Sequence, residues 1–83
     1  MYTVRFTPTA LKEFASLPAD VQVRIDAAVV RLSHAPRAPG VSKLKNMDGY
    51  RIRVGDYRIL YEIRDAILLV LVFRVGHRSK VYR

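Results

Sequence analysis

Eighty-three residues, no cysteine and a formal charge of +8 set the first bounds. A chain this short supports one domain over residues 1–83 and buries only about 60% of its unfolded surface, which leaves room for one sheet covered by one or two helices. Without cysteine there is no disulfide framework, thiol nucleophile or thiolate metal site. The basic excess favours a polyanionic partner, most often nucleic acid. It is uneven: residues 1–41 carry five basic and three acidic side chains (+2), residues 42–83 ten and four (+6). The N-terminus has no apolar core of signal-peptide length. The longest apolar run, Ala66–Phe73, has eight residues and is too short to span a bilayer, so a cytoplasmic protein without membrane contact is expected.

In chain order, Tyr2–Phe6 alternates and is β-rich, which predicts a strand with Tyr2, Val4 and Phe6 inward. Thr7-Pro8 opens a helix: threonine is a favoured N-cap, and proline at the first helical position gives up an N–H that has no intrahelical partner. Ala10, Leu11, Phe14 and Leu17 mark its apolar face and Pro18 ends it. Asp20 is placed to cap a second helix whose apolar positions, Val21, Ile25, Ala28, Val29 and Leu32, recur at helical spacing up to His34-Ala35-Pro36. His34 there meets the negative end of the helix dipole. The two helices are expected to form an antiparallel hairpin over a sheet. Pro36–Ser42 is a loop by composition, and Lys43-Leu44-Lys45-Asn46 leads into the next strand.

Tyr50–Val54 and Tyr57–Ile63 read as two strands joined by Gly55-Asp56, where glycine at the first turn position suits a type II′ turn. That turn pairs Val54 with Tyr57, Arg53 with Arg58, Ile52 with Ile59 and Arg51 with Leu60. Tyr50, Ile52, Val54, Tyr57, Ile59, Tyr61 and Ile63 then share one face and are read as core, while Arg51, Arg53 and Arg58 are displayed on the other. Like charges directly opposite destabilise a sheet, so the Arg53–Arg58 pair reads as a place for an anion. After a turn near Asp65, Ile67–Phe73 is a continuous apolar strand, expected to be central and covered on both faces or nearly so. The predicted architecture is α+β: an N-terminal strand, a two-helix hairpin, and a three-stranded antiparallel meander completing one four-stranded sheet packed on the helices. Arg74–Arg83 holds four Lys/Arg, one His and no acid.

The side chains narrow the chemistry. His34 and His77 are far apart and no carboxylate cluster accompanies them, so neither a metal site nor a carboxylate-pair mechanism has a signal, and no cofactor is expected. The four glycines stand alone at 40, 49, 55 and 76, which leaves no phosphate-cradling loop. Metal-free phosphodiester chemistry remains. RNA brings its own 2′-OH nucleophile, so a protein need only align it, stabilise the charged phosphorane and move two protons. Arginines suit the stabilising role and are poor proton carriers. His77 and Tyr82 are the local groups with proton-transfer chemistry. Lys43 and Lys45 read as sequence-blind RNA or phosphate contacts.

Leu44, Tyr50-Arg51-Ile52-Arg53, Gly55-Asp56-Tyr57-Arg58-Ile59-Leu60-Tyr61-Glu62 and Val75-Gly76-His77-Arg78 with Val81-Tyr82 resemble the RelE branch of the RelE/ParE toxin superfamily, and the order of the preceding elements matches as well. The resemblance implies the toxin of a type II toxin–antitoxin pair, held by a cognate acidic antitoxin in a hetero-oligomer. RelE-like members cut mRNA in the ribosomal A site without a metal, and ParE-like members inhibit DNA gyrase on the same fold. It further implies that Arg51 and Arg53 stand where relatives usually carry lysines. Arg58 would stabilise the transition state, Arg78 would stabilise or protonate the leaving oxygen, and Tyr82 would act as base or stacking residue, with His77 at a position often basic in relatives. Lys80 and Arg83 would add RNA contacts. Arginine in place of lysine at 51 and 53 moves the expectation toward Tyr82 or His77 as base, or toward catalysis mainly by positioning. The single residue after Tyr82, where some relatives continue into a helix, implies a tail that RNA or a partner orders.

Overall fold

The computed structural model describes residues 1–45 and 47–80. Strand β1 spans Thr3–Phe6 and helix α1 Pro8–Ala15. Thr7 is extended (φ −65°, ψ 160°) and its hydroxyl accepts the Ala10 N–H at 3.2 Å, so threonine and proline start this helix as their chemistry dictates. Leu11 departs from its expected inward position and is 57% exposed; the buried face of α1 turns on Ala10 and Phe14 instead.

Helix α2 runs Ala19–His34. Pro18 occupies its cap position without a side-chain hydrogen bond, and Asp20, expected as the cap, lies in the first turn facing the positive end of the dipole. The corner between the helices is closed by Gln22, whose amide donates to the carbonyls of Phe14, Ala15 and Leu17 at 3.1–3.2 Å. Val21, Ile25, Ala28 and Leu32 are buried, as their spacing predicts.

The sheet has five strands, not four, in the order β1-β5-β4-β3-β2. The additional strand, β2 (Val41–Lys43), straddles the end of the expected loop and pairs antiparallel with β3 (Tyr50–Val54). Three residues are too few to announce themselves by alternation, and this strand exists because β3 offers it an edge. At the other edge β1 pairs parallel with β5 (Leu69–His77), which makes the sheet mixed. The β3–β4 hairpin follows the predicted register from Tyr50↔Tyr61 to Val54↔Tyr57, with β4 spanning Tyr57–Arg64. Gly55 has φ +61° and Asp56 does not share it, the combination a type II′ turn requires.

Strand β5 starts two residues later than its apolar run suggests. Asp65–Ile67 forms a 3-10 turn and Leu68 takes a left-handed φ of 49°, leaving Ile67 and Leu68 exposed. The strand continues through Arg74–His77. It lies between β1 and β4, with Val70, Val72 and Val75 buried against the helices; Leu69, Leu71 and Phe73 are half-buried. Between Leu60↔Arg74 and Tyr61↔Val72 the register shifts by one residue, which lets Val72 and Val75 both face the core. Tyr61, fully buried opposite Tyr50, donates its hydroxyl to the Pro36 carbonyl at 2.7 Å, and burial pushes that phenol well above its usual range.

Because β1 ends at Phe6, among the described residues no strand lies beside that edge of β5 beyond Val72. Glu13 of α1 covers it: its carboxylate accepts the Val75 N–H at 3.0 Å and the Arg74 Nε at 3.0 Å. Among the described residues no helix is long and apolar enough to cross a membrane.

Candidate active site

Three strands bring the predicted residues together at the Gly55–Asp56 turn. Arg58 on β4 faces Arg53 on β3 and Gly76 on β5, and Tyr57 faces His77. The Arg78 N–H donates to the Asp56 carbonyl at 2.9 Å, tying the chain after β5 to the hairpin turn. Arg78 and Lys80 are exposed beside it. Arg51 follows two residues from Arg53 on the same face of β3, roughly 7 Å along the strand. Lys43 and Lys45 do not join them: Lys43 pairs with Tyr50 at the opposite end of β3, roughly 13 Å from Val54 along the strand. Tyr82 and Arg83 lie outside the described residues.

Arg58 is not the displayed side chain its alternation suggests. It is only 8% exposed; its guanidinium curls back so that Nη1 donates to the carbonyls of Tyr57 (3.2 Å) and Gly55 (3.4 Å), and Nε is buried with no partner. A buried cation costs free energy unless paired and hydrogen-bonded, and among the described residues no carboxylate reaches this one. The absent glycine side chain at 76 and the like charge at Arg53 leave an anion as the natural complement.

His77 is fixed by its neighbour. The Ser79 N–H, a donor under all conditions, reaches His77 Nδ1 at 3.2 Å, and the Ser79 hydroxyl lies 2.9 Å from the same nitrogen. Nδ1 is therefore an acceptor, and the neutral imidazole carries its hydrogen on Nε2. In this arrangement the neutral His77 ring offers a hydrogen bond through Nε2. The ring meets Tyr57 edge-on, 5.6 Å between centroids.

The sequence of this chain matches the family described as the ParE toxin of type II toxin–antitoxin systems, parDE, over residues 4–82. The chain belongs to the RelE/ParE toxin family. It is 41% identical to the toxin RelG of Mycobacterium tuberculosis, covering 99% of this chain and 97% of that one, and 34% identical to the mRNA interferase toxin RelE of Escherichia coli, covering 98% and 90%. In structure it resembles the toxin in the intact RelBE toxin–antitoxin complex of E. coli, with a TM-score of 0.83 at 31% identity, over 93% of this chain and 96% of that chain.

In this family member one further cation joins the site. Arg24, which helical spacing puts on the solvent face of α2, lies over the hairpin turn: a Cβ on Gly55 would stand 2.6 Å from its Nη2. Glycine at 55 is favoured by its positive φ, while the Arg24 guanidinium, the end of a flexible exposed side chain, can move aside for a Cβ. Helical periodicity carries no signal for Arg24, because its partner is 31 positions away and only the packing of α2 across the sheet joins them.

The other arginines of known partners are spent on structure. Arg37 makes a two-pronged pair with Asp65 (3.0 and 2.9 Å), which also accepts the Tyr2 hydroxyl at 2.6 Å, and its guanidinium lies 5.7 Å above the Tyr50 ring. Arg37 first and Tyr2 second hold the Asp65 carboxyl down at about 2. Arg64 stands 3.7 Å from Glu62.

Proposed function

We propose that this toxin is a ribosome-dependent, metal-free endoribonuclease that cuts mRNA in the A site by attack of the 2′-OH on the adjacent phosphate. What carries this reading is Arg58, a buried guanidinium with an unpartnered Nε, set between Arg53 and Gly76. Arg58 and Arg53 bind the nonbridging oxygens of the scissile phosphate and stabilise the extra negative charge of the phosphorane, which is the largest single term available without a metal. Arg51 and Arg78 extend the grip along the strand, and Lys80 and Arg83 hold flanking phosphates. Tyr82 is the remaining side chain suited to proton transfer or base stacking. Few proton-transfer groups are present, so the mRNA must arrive already aligned, which makes free RNA a poor substrate. An acidic antitoxin is the natural partner of the basic face and forms a hetero-oligomer with the toxin.

Induction of the chain without its antitoxin, followed by pulse labelling of protein synthesis and mapping of mRNA ends, tests this. Translation arrests with cuts in the A-site codon, and Arg58→Ala or Tyr82→Phe relieves the arrest. Arrest that persists in the double variant overturns the site assignment. A DNA-damage response without translational arrest replaces the ribonuclease with a ParE-like inhibitor of DNA gyrase on the same fold.

A further inference from the structure

A cleft of about 300 Å³ opens on the helix side of the sheet, at the same end as the arginine cluster but on the opposite face. Leu17, Pro18 and Val75 form its apolar walls, and Tyr57, His77 and Lys80 its polar and aromatic side. Its volume is at the lower end of small-ligand sites, enough for a single flat ring system. Glu13 also borders it, but that carboxylate is already committed to Arg74 and Val75. The donors left are the His77 Nε2–H, set by Ser79, and the Lys80 ammonium, for which no side-chain partner is found among the described residues. Gly76 lines the cleft and is also the register partner of Arg58, whose side chain points to the opposite face, so the cleft and the proposed phosphate site lie on the two faces of the same end of the sheet.

We propose that this cleft receives one nucleobase of the strand whose phosphate lies on the arginine cluster, stacked against the Tyr57–His77 side and hydrogen-bonded through its acceptor atoms. Unstacked RNA bases are held in this way, on an aromatic or apolar wall with donors at the base edge. The site rests on the ribonuclease reading for the origin of the strand, but not for its binding chemistry. It makes His77 and Lys80 specificity-determining residues, and Ser79 the residue that holds the His77 tautomer.

The full-length chain is titrated with 5′-mononucleotides and, separately, with ribose 5-phosphate, while the methyl resonances of Leu17 and Val75 and the His77 ring nitrogens are followed by NMR. Mononucleotides shift all of these; ribose 5-phosphate leaves the methyls in place. Equal responses to both, or no response of the methyls, overturns the base site. Ser16→Trp, on the exposed rim, fills the cleft and weakens the mononucleotide response roughly tenfold, in line with the loss of one base stack. On ribosomes the same variant redistributes cuts among codons, and an unchanged cut distribution also overturns the proposal. Mononucleotide binding by a chain that cuts no mRNA sinks the ribonuclease reading and leaves the cleft standing.

Discussion

The two ends of the β3–β4 hairpin use the same residue type in opposite ways. At the open end, beyond Tyr50, Arg37 is fully matched: both prongs reach Asp65, its face covers Tyr50, and Tyr2 completes the carboxylate. At the turn end, Arg58 is more deeply buried yet holds only two backbone carbonyls and leaves Nε empty. A matched arginine contributes to the folded state, and a buried unmatched one works against it. The difference separates a clip that joins the N-terminal strand, the loop after α2 and the turn after β4 from a buried guanidinium for which no carboxylate partner is found among the described residues.

Exchanging the roles of these ends is the sharpest test. Arg58→Ala has the largest effect expected: mRNA cutting falls on the order of 10²-fold, as when one charge-stabilising donor is removed from a transition state, while the urea midpoint stays level or rises. A drop in stability alongside the loss of cutting breaks the comparison, because it makes Arg58 structural.

Glu13→Ala comes next, at about 2 kcal/mol of stability by urea unfolding, because it removes the acceptor of the Val75 N–H and the carboxylate partner of Arg74. Tyr61→Phe loses the bond to Pro36 and costs about 1 kcal/mol by the same measurement, with cutting unchanged.

The smallest effect belongs to the exposed clip and is read through pH. The Asp65 carboxyl is depressed from 3.8 to about 2, by Arg37 first and Tyr2 second. Its contribution is therefore present above pH 4 and is lost as pH falls through 2. The melting temperatures of wild type and Asp65→Asn accordingly differ at pH 6, draw together between pH 4 and 2, and coincide below that. A constant gap across this range removes the carboxylate from the clip. Cutting by Asp65→Asn equals wild type.

Much of this could be read along the chain, for a common reason: short-range rules decide it. The type II′ turn at Gly55 fixes the whole β3–β4 register through pairing alone, so Arg53 opposite Arg58 follows from sequence. Thr7-Pro8 starts α1, and 3.6-residue spacing selects the buried side of α2. The family motifs likewise mark Arg51, Arg53, Arg58 and Arg78 without any structure.

What sequence could not supply depends on partners distant in the chain. The short strand β2 exists because β3 has a free edge, and β1 pairs parallel to β5 because the chain crosses over the helices to β2 at the far edge and the antiparallel run β2–β5 brings it back beside β1. Leu68 gives up strand geometry so that Arg64 and Leu69 can pair. Alternation assigns Arg58 to the outer face but says nothing about its burial, which arises when β3, β5 and the hairpin turn close around it. Arg24 above Gly55, the Ser79 N–H on His77, and the cleft between the α1–α2 corner and the end of β5 are of the same kind. Which charges share a strand face follows from residue order alone, because a strand's side chains alternate with period two. Which of those charges ends buried without a carboxylate among the described residues follows from packing, because burial is set by every element that closes around a residue.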